Sequence, residues 1–81
     1  MYYFYLLKSQ KTGNAYYGIT NDLVKRFYQH NNGLSPATKP YSPWELVYYE
    51  AYKSKVLAED RERKIKAHGK GLSELKRRID F

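Results

Sequence analysis

The stretch NAYYGITNDLVKRFYQH, Asn14 to His30, changes period half-way. Ala15 to Thr20 is aromatic and β-branched and reads as a strand. Gly18 sits inside it, a position that marks a bulge or a close approach. Thr20, Asn21 and Asp22 offer helix N-caps. From Leu23 the apolar residues Leu23 and Phe27 recur at helical spacing, with Val24 and Tyr28 beside them. This predicts a helix over 23–31 that Asn32-Gly33 ends. Arg26 and His30 are one helical turn apart and share a shoulder of the Leu23/Phe27 ridge. A shoulder position lets a side chain reach over a sheet edge into a groove. An exposed arginine and a half-buried histidine would give the same pattern.

Working outward, Tyr2 to Lys8 has apolar residues on both faces, as a strand covered on both sides would. The turn chemistry of Ser9 to Asn14 makes a hairpin with the strand that follows. Gly33 to Pro43, GLSPATKPYSP, is a long loop with three prolines and a basic residue at Lys39. Loops of this length in a small domain are often functional. Trp44 to Tyr52 is the third strand, with Trp44, Leu46, Tyr48 and Tyr52 expected on one face and Val47, Tyr49 and Ala51 on the other. Ser54 can cap a second helix over 55–67, with an apolar stripe of Leu57, Ala58 and Ile65. Gly69 and Gly71 interrupt it, and Leu72, Leu75 and Ile79 predict a short last helix. The order ββαβαα predicts an α+β fold, a small three-stranded antiparallel sheet flanked by helices.

The 81 residues are expected to form a single domain, residues 1–81. No cysteine is present, and His30 and His68 are the only histidines, which argues against a structural zinc site. A hard ion such as Mg²⁺ needs oxygen ligands and stays open. No signal-peptide pattern and no membrane-spanning run is seen, so a cytoplasmic protein is expected. The net charge of +7, with a dense cluster from Arg61 to Arg78, favours a polyanionic partner, nucleic acid first, although a solvated basic surface would carry the same charge. Ten tyrosines bring phenols to the edges of a small core, where they can stack on bases or bond phosphates.

Glu62 lies on a shoulder of the second helix's apolar stripe, with a surface ion pair to Arg61 or Arg63 as its plain alternative. Arg61 projects from the stripe itself and is expected to snorkel or pair with an acid. Strand tyrosines, an Arg and a His from one helix and a Glu from another together suit phosphodiester hydrolysis. A carboxylate can hold Mg²⁺, and an arginine can bond a phosphate as charge builds. A tyrosine or histidine can take a proton from water, the tyrosine only if its environment lowers its pKa.

The sequence resembles the GIY-YIG nuclease superfamily, especially its small stand-alone bacterial members, from Tyr2 to about Arg78. Tyr3-Phe4-Tyr5 stands in place of the first family triplet and Tyr16-Tyr17-Gly18 in place of the second. The run Gly18 to Leu23, followed by Arg26, His30, Asn31 and Gly33, is the strongest match. The Pro43 to Tyr48 strand and Ala58 to Lys66, AEDRERKIK, add to it. The resemblance implies that Tyr5 acts as, or activates, the general base and that Tyr16 orients water and phosphate. By the same resemblance Arg26 stabilises the transition state, and His30 orients or deprotonates the nucleophilic tyrosine or water. Glu62 would be the ligand of a single Mg²⁺ or Mn²⁺ ion, and Gly18 would let backbone and substrate approach closely; beside this, the basic residues Lys39, Arg61 and Lys66 are expected to contact substrate. The implied activity is a metal-dependent DNA endonuclease with a one-metal mechanism, in a setting of DNA repair or recombination. The first signature glycine is Tyr3 here, and the asparagine that many family enzymes carry after the metal helix is missing. Without the additional DNA-binding domains of larger relatives, affinity would come from the basic surface, a homodimer or a targeting partner. The alternative reading is a nucleic-acid-binding module on the same fold that cuts poorly or not at all; a purely structural role would not need Tyr5, Arg26 and Glu62 together.

Overall fold

The computed structural model describes residues 1–67 and 69–81; His68 lies outside the described residues. The elements follow the expected order: β1 (Tyr2–Ser9), β2 (Ala15–Thr20), α1 (Leu23–Asn31), β3 (Trp44–Tyr52), α2 (Lys55–Ala67) and α3 (Gly69–Arg78). The three strands form one antiparallel sheet in the order β2-β1-β3. The most apolar strand is therefore central, and both its faces are covered.

The covers differ. Phe4 and Leu6 point to one face, where they meet Ile65 of α2 and Leu75 of α3, with Tyr17, Ile19, Tyr48 and Tyr52 around them. Tyr5 and Leu7 point to the other face and pack with Trp44, Tyr16, Leu46 and the Leu23/Phe27 ridge of α1. The alternation of β1 thus divides the core in two. The second half brings the Tyr5 phenol and the His30 imidazole together.

Local chemistry sets the boundaries as expected. The Asp22 carboxylate accepts the Lys25 N–H at 3.0 Å and caps α1. Ser54 does the same for α2 through Leu57 N–H. Gly33 takes the left-handed conformation, φ 71°, just beyond the end of α1.

Two details depart from the sequence-based reading. A β-bulge between the partners of Leu6 and Leu7 leaves Val47 without a cross-strand partner. Trp44 and Leu46 consequently belong to the α1 side, whereas Tyr48 and Tyr52 belong to the α2/α3 side. A strict alternation assigned all of them to one face, and one inserted residue inverts everything beyond it. On α2 the buried residues are Ala58 and Ile65, and Leu57 is 52% exposed. The inward line passes through Arg61, which lies over the Phe4 ring and pairs with Glu50 at 2.9 Å.

Candidate active site

Tyr5 is the centre of the site. Its phenol, 2% exposed, runs from the central strand beneath α1. Strand register places Gly18 directly opposite. A Cβ at Gly18 would stand 2.8 Å from the Tyr5 hydroxyl, so the glycine makes room for the chain's own tyrosine. The close approach expected at Gly18 is thus made by Tyr5.

The hydroxyl meets His30. Tyr5 Oη lies 2.9 Å from His30 Nε2, and the other ring nitrogen, Nδ1, lies 2.7 Å from Thr38 Oγ1. The ring edge of Tyr16 closes a third side, its centroid 5.1 Å from that of the imidazole. His30 is 0% exposed, so the shoulder position read from the helix wheel is completed by a cover that a wheel cannot show. That cover is the loop of residues 33–43. Its Thr38 is also fully buried, and the Thr38 carbonyl accepts the Trp44 indole N–H at 3.0 Å.

Arg26, one turn before His30, bonds Gln29 Oε1 at 3.1 Å. Its positive charge also favours the ionised form of the Tyr5 phenol. Burial outweighs this and pushes the Tyr5 pKa above its ordinary value, with Tyr16 and Glu62 adding smaller increments upward. Burial, helped by the Arg26 charge, holds His30 down to about 4, so the imidazole is neutral at pH 7.

Glu62 approaches from α2. It lines an open cleft of about 360 Å³ with Ala15, Tyr16, Tyr17 and Lys66. The cleft therefore joins β2, the site's tyrosine edge and the outer face of α2. Tyr5, Tyr16, Arg26, His30 and Glu62 thus lie around one region, with Lys66 at its rim. Arg61 does not join them: its guanidinium faces the opposite layer, held by Glu50. Lys39 is exposed on the covering loop, its aliphatic chain against Gly33.

These residues come from four separate elements, β1, β2, α1 and α2. The model of the GIY-YIG catalytic domain covers residues 1–79. The chain belongs to the GIY-YIG nuclease superfamily. It is 43% identical over 67 residues to UPF0213 protein CPE1444 of Clostridium perfringens, covering 82% of this chain and 71% of that one. To UPF0213 proteins of Bacillus pumilus and Staphylococcus saprophyticus it is 41% identical over 66 residues, 80% of this chain and 66% and 79% of theirs. No solved structure matches the chain.

The GIY-YIG fold implies a divalent ion, and the donors present fit one of a particular kind. No group of three metal-ligating side chains gathers among the described residues. A cage of protein ligands is therefore not on offer. Glu62, however, makes no ion pair among the described residues, whereas Glu50 and Asp60 are both paired. A lone carboxylate beside an open cleft suits a hard ion that keeps most of its waters. No described helix is long and apolar enough to cross a membrane.

The sequence reading missed Thr38. Its only signal was the length of a proline-punctuated loop, which marks a segment without choosing a residue. It also missed Asn31 as a clamp, since its side-chain amide bonds both backbone groups of Trp44.

Proposed function

We propose that this protein is a divalent-metal-dependent DNA endonuclease that hydrolyses phosphodiester bonds, its active site built from Tyr5, Tyr16, Arg26, His30 and Glu62 across residues 1–81 acting as one domain. The observation that carries this reading is the position of the Tyr5 hydroxyl. It bonds the His30 imidazole and feels the charges of Arg26 and Glu62, while Tyr16, against the same imidazole, lines the Glu62 cleft. A buried phenol flanked by a cation and an imidazole is a costly arrangement that packing alone does not require.

Each residue then has a role its surroundings support. Arg26 bonds the non-bridging phosphate oxygens, where negative charge grows as water adds to phosphorus. Tyr16, at the cleft wall, orients the phosphate and the attacking water. Tyr5 and His30 form the pair that handles the water's proton. Glu62 holds one Mg²⁺ or Mn²⁺ ion, which when bound polarises the phosphoryl oxygen and stabilises the leaving oxygen. Lys66 at the cleft rim and Lys39 on the loop neutralise neighbouring phosphates. Arg61 has no such part, because its charge is already engaged by Glu50. DNA repair or recombination is the setting this activity would serve.

The test is direct. The purified protein is incubated with linear, nicked and branched DNA, with and without Mg²⁺ or Mn²⁺. Metal-dependent cutting lost in both Glu62→Gln and Arg26→Ala is the expected result. Cutting that survives both changes would assign the activity elsewhere. Salt-sensitive binding without cutting would establish the binding-module reading instead.

A further inference from the structure

We infer that Thr38 fixes His30 as the tautomer protonated on Nε2, so that His30 serves Tyr5 as a hydrogen-bond donor and Tyr5 is the proton acceptor of the pair. The tautomer follows from the hydrogen-bond geometry around an imidazole that burial keeps neutral. Its consequence for proton transfer rests on the hydrolytic reading above.

The hydroxyl of Thr38 has one proton and two acceptors within reach. The Ser35 carbonyl lies 3.3 Å away, and His30 Nδ1 lies 2.7 Å away. That carbonyl is already served by two backbone donors, Thr38 N–H at 3.1 Å and Lys39 N–H at 3.0 Å. Its lone pairs are accounted for, and the third contact is long. The distance to Nδ1 is that of a strong O–H···N bond. The Thr38 proton therefore goes to the imidazole. A neutral imidazole that accepts at Nδ1 carries its proton on Nε2. His30 is neutral at pH 7, since burial and Arg26 both resist its protonation. Nε2–H then points at the Tyr5 oxygen, 2.9 Å away.

Thr38 is in a position to impose this choice. It is 0% exposed, and its carbonyl is anchored by the Trp44 indole. The imidazole is pinned in turn by the edge of Tyr16. The long loop thus acts as a positioning element, and Thr38 reaches the chemistry only through His30.

The consequence concerns the phenol. With His30 donating, the Tyr5 proton is directed away from the imidazole. Burial keeps the phenol's pKa above its ordinary value, so the ionised fraction is small and grows toward alkaline pH; once the proton has left to bulk water, the phenolate keeps the His30 Nε2–H bond and the nearby Arg26 charge. It then takes one proton from the attacking water as the remaining hydroxide bonds to phosphorus and the P–O bond to the leaving oxygen breaks; that oxygen departs and is protonated by solvent, and Tyr5 ends as the neutral phenol. The opposite tautomer would place a bare Nε2 against the phenol, hold its proton in place and work against ionisation.

Nitrogen-15 NMR reads the tautomer without reference to activity. In protein labelled at histidine, long-range proton–nitrogen correlations at pH 7 distinguish a protonated from a bare ring nitrogen. We expect a bare Nδ1 and a protonated Nε2 for His30 in the wild type and in Thr38→Ser. In Thr38→Val the population with protonated Nε2 should fall to half or less. A protonated Nδ1 in the wild type, or Thr38→Val shifts identical to the wild type's, overturns the assignment. The pH–rate profile is the second readout. Loss of one hydrogen bond to a charged oxygen should move the rising limb in Thr38→Val upward by about one pH unit, with Thr38→Ser unmoved. An unmoved limb in Thr38→Val overturns the link from Thr38 to Tyr5. A wild type with Nε2 protonated that cuts no DNA at any pH would sink the hydrolytic reading and leave the tautomer standing.

Discussion

The Tyr5 hydroxyl reaches His30 Nε2, 2.9 Å away, through space that any side chain on Gly18 would enter. A Cβ there would stand 2.8 Å from the hydroxyl and 3.1 Å from the ring carbon that bears it. Gly18→Ala should therefore displace the phenol and weaken its bond to His30. Overpacking of this kind costs about 1–3 kcal/mol. Urea denaturation measures the loss, and Tyr5→Phe isolates its cause. Without the hydroxyl the nearest clash is relieved but the ring contact remains, so the alanine should cost less in the Tyr5→Phe background. Equal costs in both backgrounds would place the strain elsewhere.

His30 predicts a pH window for stability. Folded, it resists protonation until about pH 4; unfolded, it takes a proton near 6.5. Between those values the unfolded chain binds more protons, so stability is full above the window and falls as pH drops through it. Burial is complete, and the shift corresponds to about 3 kcal/mol, which sets the scale of the loss. Denaturation midpoints collected from pH 7 to pH 4 should show it, and His30→Gln should flatten that slope while being less stable at pH 7. A wild type equally stable at both ends of the window would contradict the burial that Thr38, Tyr5 and Tyr16 provide.

Much of this molecule could be read from its residues because local chemistry decides it. Asp22 and Ser54 cap where caps were expected, and the two-sided apolar pattern of β1 correctly placed it between two layers. The bulge at Val47 was not legible, since no residue type announces an inserted position. The site divides the same way. Arg26 and His30 share a helix face, and periodicity found them. Thr38 acts through a contact eight residues from His30, made by a loop without period, so no spacing rule could reach it. Arg61 stood among the expected substrate contacts for its charge; the helix points it at the half-buried Glu50.

That acid supplies a further prediction. Glu50 Oε2 accepts the Tyr48 hydroxyl at 2.6 Å, and Oε1 accepts the Tyr52 hydroxyl at 2.6 Å and Arg61 Nε at 2.9 Å. These donors hold the carboxyl below its usual pKa, against the upward pull of burial. Glu50→Gln removes an acceptor and the counter-charge of a guanidinium that is 29% exposed. A loss of about 1–3 kcal/mol is expected, the partial exposure keeping it below that of a fully buried pair. The network lies on the α2/α3 side of the sheet, away from Tyr5 and His30. Cutting per folded molecule should therefore be unchanged. A fall in cutting with stability intact would return Arg61 to the substrate surface.

Asn31 ties the helix that carries Arg26 and His30 to the start of β3. Its Nδ2 donates to the Trp44 carbonyl at 3.0 Å, and its Oδ1 accepts the Trp44 N–H at 2.5 Å. One side chain thus serves both backbone groups of a strand residue, as a neighbouring strand would. Trp44 in turn anchors Thr38. Asn31→Asp keeps the acceptor but replaces the donor with a second oxygen facing the carbonyl. An unsatisfied and repelled carbonyl costs about 1–3 kcal/mol. The damage should also be local before it is global, with faster hydrogen exchange at the Trp44 amide and in the Thr38 loop than in β1. Uniform acceleration across the sheet would mean that Asn31 contributes only to overall stability, with no special hold on the His30 cover.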